Sequence, residues 1–360
     1  MKKKNLNFII KLKLISRNSS YKNFYKTFMT SLIVIFIFFC LPSTFDFIFK
    51  NLNFKKVVIS SAGFTFDEEI KKKILINDEI NQNEVFADID FSNVEDEGLN
   101  STRLSAITIE QLFKDTKYDL NKVRETKLLN LGNSMKHLPT EIKNIENVKK
   151  RKKLFIQIVL PLILEENAKI KIDRIKLFSI LNKKYNSERE KKWLAHKLKK
   201  YGVKNKDLSI LKIRMDEIPV SLAIAQAAKE TGWGTSRFSQ EGNALFGQWT
   251  WTGEGIKPAA VDDDSKHKVA KFKILKASVR AYQRNLNTHP SYSEFRKERA
   301  IQRENQDKLN SLILVNYLDK YAETGVEYIK VLKQIINQNL LTDFDDVKIL
   351  PTSKKLKKLI

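Results

Sequence analysis

The sequence predicts a mainly α-helical domain carrying a small β-lobe, preceded by a single transmembrane helix and a stalk. Three observations lead there. From residue 137 to 345, apolar residues recur mostly at helical spacing. Between Asn243 and Phe272 that period vanishes in favour of glycines, aromatics and β-branched residues. Near the N-terminus, Thr27 to Phe45 pass without a charge. A chain of 360 residues has room for such a domain plus an anchor.

Residues 1–26 form a basic head with eight Lys and Arg and no acid. As a helix, the uncharged stretch behind it would span roughly 28 Å, enough to cross a bilayer. The predicted anchor covers residues 27–47, and its positive flank places the N-terminus in the cytoplasm and the remainder on the far side. A cleaved signal peptide fits less well, because no pair of small residues follows the apolar run. Cys40 follows Phe39 where a lipid-modification site wants a small residue, so it reads as a membrane-helix side chain. One cysteine excludes a disulfide framework. Residues 48–136 mix short apolar stretches with acids and amides and read as a stalk, with local structure at most around Val57–Phe66 and Ile107–Phe113.

The domain proper is expected from 137 to 345. Leu154, Ile158, Leu162, Ile172, Ile175 and Leu177 keep a helical period, and "REKKWLAHKLKKYGV" reads as an amphipathic helix with Trp193, Leu194 and Leu198 inward and Gly202 at its end. "DLSILKIRMDEIP" gives a short helix and turn. "PVSLAIAQAAKETG" comes next as a buried helix with Pro219 at its start. After the β-lobe, helices resume at "ILKASVRAYQRNLNTH" and "LNSLILVNYLDKYAETGVEYIKVLKQIINQN", and a basic tail, 346–360, closes the chain.

Composition narrows the function. The net charge is +24, but the head and the last seven residues hold half of the excess, and no nucleic-acid-binding signature accompanies the rest. His137, His196, His267 and His289 lack the spacing of a zinc site, the run Asp262–Asp264 lacks the alternation of a calcium loop, and there is neither a phosphate loop nor a nucleophile elbow. No metal and no cofactor is expected.

Glu230 carries the chemistry. On a helix it shares a stripe with Leu222 and Gln226, alongside Ala223 and Ala227, so it lies with the apolar positions in the last turn before Gly232. Partial burial and the negative end of the helix dipole both disfavour its anion, which suits a general acid. By default a Glu near a helix end is a solvated charge. The residues downstream shift that reading: Gly232 and Gly234 permit close backbone approach, and Trp233, Phe246 and Trp249 supply aromatic faces of the kind a sugar cleft needs.

The stretch "PVSLAIAQAAKETGWGTSRFSQEGNALFGQW" resembles the signature of the peptidoglycan β-N-acetylglucosaminidase family, its Bax-type members above all. The similarity runs from about His137 to Phe295. It implies a lysozyme-like fold with a β-lobe over a glycan cleft, and places the family's general acid on Glu230. The family's downstream tyrosine falls on Tyr292, with His289 where an Asn is usual, and backbone and aromatic contacts fall on Asn243, Phe246 and Gly247. A second acid is expected in the β-lobe, on Asp263 or Asp264 rather than Asp262 or Glu254. The substrate's own acetamido group is the alternative, with Tyr292 orienting it or a water.

The implied protein is a peptidoglycan hydrolase cutting the N-acetylglucosaminyl β-1,4 bond, its partners glycan strands and, through the N-terminal helix, a bacterial inner membrane, with the catalytic domain periplasmic. Two rivals stay open: a muramidase or lytic transglycosylase of the same fold, and a glycan-binding scaffold without turnover.

Overall fold

The computed structural model describes residues 103–130, 134–250, 255–257, 268–306 and 308–350. The fold begins earlier than expected. Helix α1 (Ala106–Asp115) is capped by Ser105, whose side chain accepts from the Thr108 N–H, and it buries Ala106, Ile109 and Phe113 on one face. Asp119 caps α2 (Leu120–Thr126), which buries Leu120 and Val123, and strand β1 (Leu128–Asn130) buries Leu129. These residues belong to the main core, so the predicted stalk, 48–136, is corrected over its described part. The local structure expected at Ile107–Phe113 is α1, while α2 offers two inward positions, too few for a period to stand out. The predicted tail boundary is corrected too: β5 (Lys348–Leu350) lies parallel to β1, with Leu129 opposite Ile349. The basic head, the predicted membrane span and residues 48–102 lie outside the described residues. Among the described residues no helix is long and apolar enough to cross a membrane.

Helix α3 (Val148–Leu181) runs 34 residues. From Leu154 to Leu164 it is buried on every side. Pro161 sits inside this stretch and cannot donate to the carbonyl of Gln157 one turn back. The Tyr118 hydroxyl donates to that carbonyl instead, at 3.0 Å, while the Gln157 amide donates to the Tyr118 carbonyl, also at 3.0 Å. The helix therefore keeps its proline because the N-terminal extension completes it. Beyond Leu164 its inward residues, Ile170 and Leu177, join a second apolar cluster with α4 (Glu188–Lys200) and α5 (Leu208–Arg214). Trp193, Leu194 and Leu198 of α4 face this cluster, as predicted.

Helix α6 (Val220–Thr231) packs between α3, a later helix α11 (Val326–Gln338) and the turn Leu341–Phe344. Pro219 offers no side-chain cap. The cap comes from across the fold: Asp345 accepts from the Ser221 N–H at 2.8 Å and from its hydroxyl at 2.7 Å. Just upstream, Asp216 is buried beside Arg303 at 3.1 Å, Arg174 at 3.7 Å and Arg299 at 3.9 Å. Burial alone would raise its pKa, but the three guanidinium groups hold it well below the usual carboxylate range.

After α6 comes the short α7 (Arg237–Gly242), then an antiparallel sheet in the order β2 (Trp249–Thr250), β4 (Lys268–Ala270), β3 (Gly255–Ile256). This is the β-rich insertion expected between Asn243 and Phe272. Helices α8 (Leu275–Thr288), α9 (Ser293–Gln306) and α10 (Ser311–Leu314) complete a mainly helical domain.

Candidate active site at the end of the buried helix

Ten of the twelve residues of α6 are buried, which is what an Ala-rich run with few bulky side chains permits. The helix ends at Gly232, which takes the left-handed conformation at φ 56° that a Cβ would strain. Glu230 is thus fixed in the last turn and half-buried, with its neighbour Lys229 exposed. Burial raises its carboxyl above the ordinary value, against the opposing effects of a hydrogen bond from Tyr328 and the nearby Lys229 charge. Arg237, the other cation close in sequence, donates to the Lys257 carbonyl instead.

The partner of Glu230 escaped the sequence reading. Tyr328, on α11, donates to Glu230 Oε1 at 3.0 Å. Behind it runs a directed chain: the Tyr282 hydroxyl donates to Gln226 Oε1 at 2.6 Å, and Gln226 Nε2 donates to the Tyr328 hydroxyl at 3.0 Å. Gln226 is fully buried, so both ends of its amide need partners, and the two tyrosines provide them. With its oxygen already accepting from Gln226, Tyr328 directs its proton to Glu230. Oε1 is therefore the accepting oxygen and Oε2 the one left to carry the acid's proton. A Cβ added at Gly247 would lie 3.2 Å from Oε2, and Gly247 itself has φ 58°. Gly247 thus places no side chain over this oxygen.

Tyrosines form the rest of this wall. Tyr321 stacks on Tyr328 with ring centroids 5.5 Å apart and donates to the Phe246 carbonyl at 2.9 Å. Tyr292 lies 6.0 Å from Tyr321, ring to ring. Its hydroxyl is pushed above the ordinary value chiefly by burial, and the Glu230 charge acts in the same direction. The structure thus brings Glu230, Gly247 and Tyr292 near one another and adds Tyr328, Gln226, Tyr282 and Tyr321.

The other predicted residues make contacts within the fold as follows. Phe246 is buried and stacks flat on Tyr282 at 3.9 Å. Asn243 donates to the Phe272 and Lys273 carbonyls at 2.9 and 3.1 Å and meets His137 Nδ1 at 3.2 Å through its oxygen, so it straps the β-insertion to the domain. Trp233 packs edge-on against Phe155 with Lys152 over its ring, which makes it part of the core boundary. Trp249 stands 40% exposed on β2, two residues past Gly247. Asp263 and Asp264, with Glu254 and Asp262, lie outside the described residues. Among the described residues no carboxylate besides Glu230 enters this cluster, and none forms a group of three or more metal-ligating side chains.

Residues 210–341 match the family model described as mannosyl-glycoprotein endo-beta-N-acetylglucosaminidase. The chain is also similar to Protein bax of Escherichia coli (strain K12), 35% identical over 196 residues that cover 52% of this chain and 70% of that protein. No solved structure matches the chain.

Proposed function

From the premise that the chain belongs to the glucosaminidase family, as a Bax-type member, we propose that it is a glycoside hydrolase of cell-wall glycan with Glu230 as its general acid. The observation that carries this reading is the Glu230 carboxyl itself. Burial raises its pKa, one oxygen accepts from Tyr328, and the other lies toward Gly247, which carries no side chain. The bond cleaved is the N-acetylglucosaminyl β-1,4 bond, and Tyr292 orients the acetamido group or the attacking water. Trp249 offers an exposed face for a sugar ring. The uncharged stretch at residues 27–45 supports an inner-membrane anchor with the domain on the wall side.

A second reading is a lytic transglycosylase, whose reaction needs only one carboxylate; the expected second acid, Asp263 or Asp264, lies outside the described residues. Digestion of purified peptidoglycan by the full chain and by its Glu230→Gln variant decides between them through mass spectrometry of the new ends. Reducing N-acetylglucosamine ends, reduced roughly a hundredfold or more in the variant, are the expected result. Anhydro ends would establish the transglycosylase, reducing muramic ends a muramidase. Wall binding without any release by either protein would leave only a glycan-binding role.

A further inference from the structure

Half of the net charge lies in the two terminal segments; the other half is gathered in one piece of the fold. Residues 169–214, the last thirteen residues of α3 with α4 and α5, hold sixteen Lys and Arg against four Asp and Glu. The other 202 residues between 103 and 350 hold thirty-two against twenty-six. This helical lobe has its own apolar cluster and lies almost wholly ahead of the matched residues 210–341.

Its four acids are all engaged inside the lobe. Asp173 pairs with Lys197, Glu188 with Lys191 at 2.7 Å, and Glu190 with Lys183 while closing the capping box of Ser187. Asp207 caps α5 through the Ser209 N–H at 2.8 Å. Lys184, Arg189, Lys192 and Lys199 stand exposed around them. At the turn joining α3 to α4, Tyr185 is 81% exposed, directly after Lys183 and Lys184. An aromatic ring with a polar tip set among lysines matches the chemistry of a lipid headgroup layer: the ring settles at headgroup depth and the ammonium groups meet phosphates.

We propose that the α3–α4 turn and α4 dock on an anionic phospholipid surface. A wall polymer is the weaker candidate for this charge, because a polymer being cut would be gripped beside Glu230. There, among the described residues, Lys229 is the one cation acting on the carboxyl.

The test is co-sedimentation of the full chain with vesicles of phosphatidylcholine alone and of phosphatidylcholine mixed with phosphatidylglycerol. It is run beside the variant Lys184→Gln, Tyr185→Ser, Arg189→Gln, Lys192→Gln. The basic head is the same in both proteins, and Val34→Asp with Phe38→Asp in both keeps the apolar segment from inserting and holding either protein on every vesicle. The variant is expected to lose at least about tenfold in partition onto the anionic vesicles, with little change on the neutral ones and unchanged circular dichroism. A charge-keeping variant, Lys184→Arg with Tyr185→Trp and Lys192→Arg, should bind like the wild type. Equal partition of wild type and the neutralised variant would overturn the proposal. So would a variant that keeps its vesicle binding but no longer pellets with purified peptidoglycan, which would assign the lobe to the wall polymer.

Discussion

At the residue scale, the site depends on where one proton resides. Tyr328 stabilises the charged form of Glu230, and burial opposes it. Replacing Tyr328 by Phe removes the stabilising bond and leaves the burial, so the carboxyl pKa rises further. A general acid must be protonated, so the alkaline limb of kcat against pH should move upward in Tyr328→Phe. An unmoved limb would show that the hydroxyl does not tune the acid. Glu230 was legible in the sequence because it breaks an otherwise apolar stripe. Tyr328 was not: it lies 98 residues away, and a tyrosine on the inner face of an amphipathic helix reads as core until its hydroxyl's partner is seen. Trp233, named as an aromatic face for a sugar, is half-buried and packs edge-on against Phe155 under Lys152.

At the element scale, two helices rely on groups far away in the chain. The Gln157 carbonyl, freed by Pro161, is satisfied by Tyr118. Tyr118→Phe should cost about 1–3 kcal/mol in denaturant unfolding by leaving a buried carbonyl unpaired. Pro161→Ala restores the missing donor, so the cost should shrink in that background. Equal costs in both would refute the link. Helix α6 depends on Asp345, whose carboxyl burial pushes up to about 6 despite its bonds to Ser221. The folded state therefore binds more protons than the unfolded one between an ordinary carboxyl near 4 and that value, so stability falls as pH rises through this window. The full loss, present above it, is roughly 3 kcal/mol. Asp345→Asn, which keeps an acceptor for the Ser221 N–H, should flatten that decline relative to the wild type. A persistent slope would place the titration elsewhere. Neither dependence was legible in the sequence, because a cap or acceptor supplied from another element leaves no local spacing to read.

At the scale of the whole molecule, the helical period marked the long core helices and the β-insertion correctly, while the domain's edges were misplaced. Local structure at Ile107–Phe113 foreshadowed α1, but α2 and β1 fell in the stalk and β5 in the tail, because elements of three to seven residues gain their meaning only from what they pack against. A fragment beginning at residue 137 should therefore show a lower Tm and a looser core than one beginning at 103, measured by thermal unfolding; equal Tm values would count against the wider boundary.

The pairing of β1 with β5, together with the Asp345 cap, has a consequence in time. The helix that carries Glu230 is capped by a residue near the far end of the domain, and the first strand finds its partner only at residues 348–350. During synthesis the chain can collapse locally, but the acid cannot be fully positioned until those last segments emerge. In a growing chain the cluster around Glu230 is therefore completed only with the last of the domain.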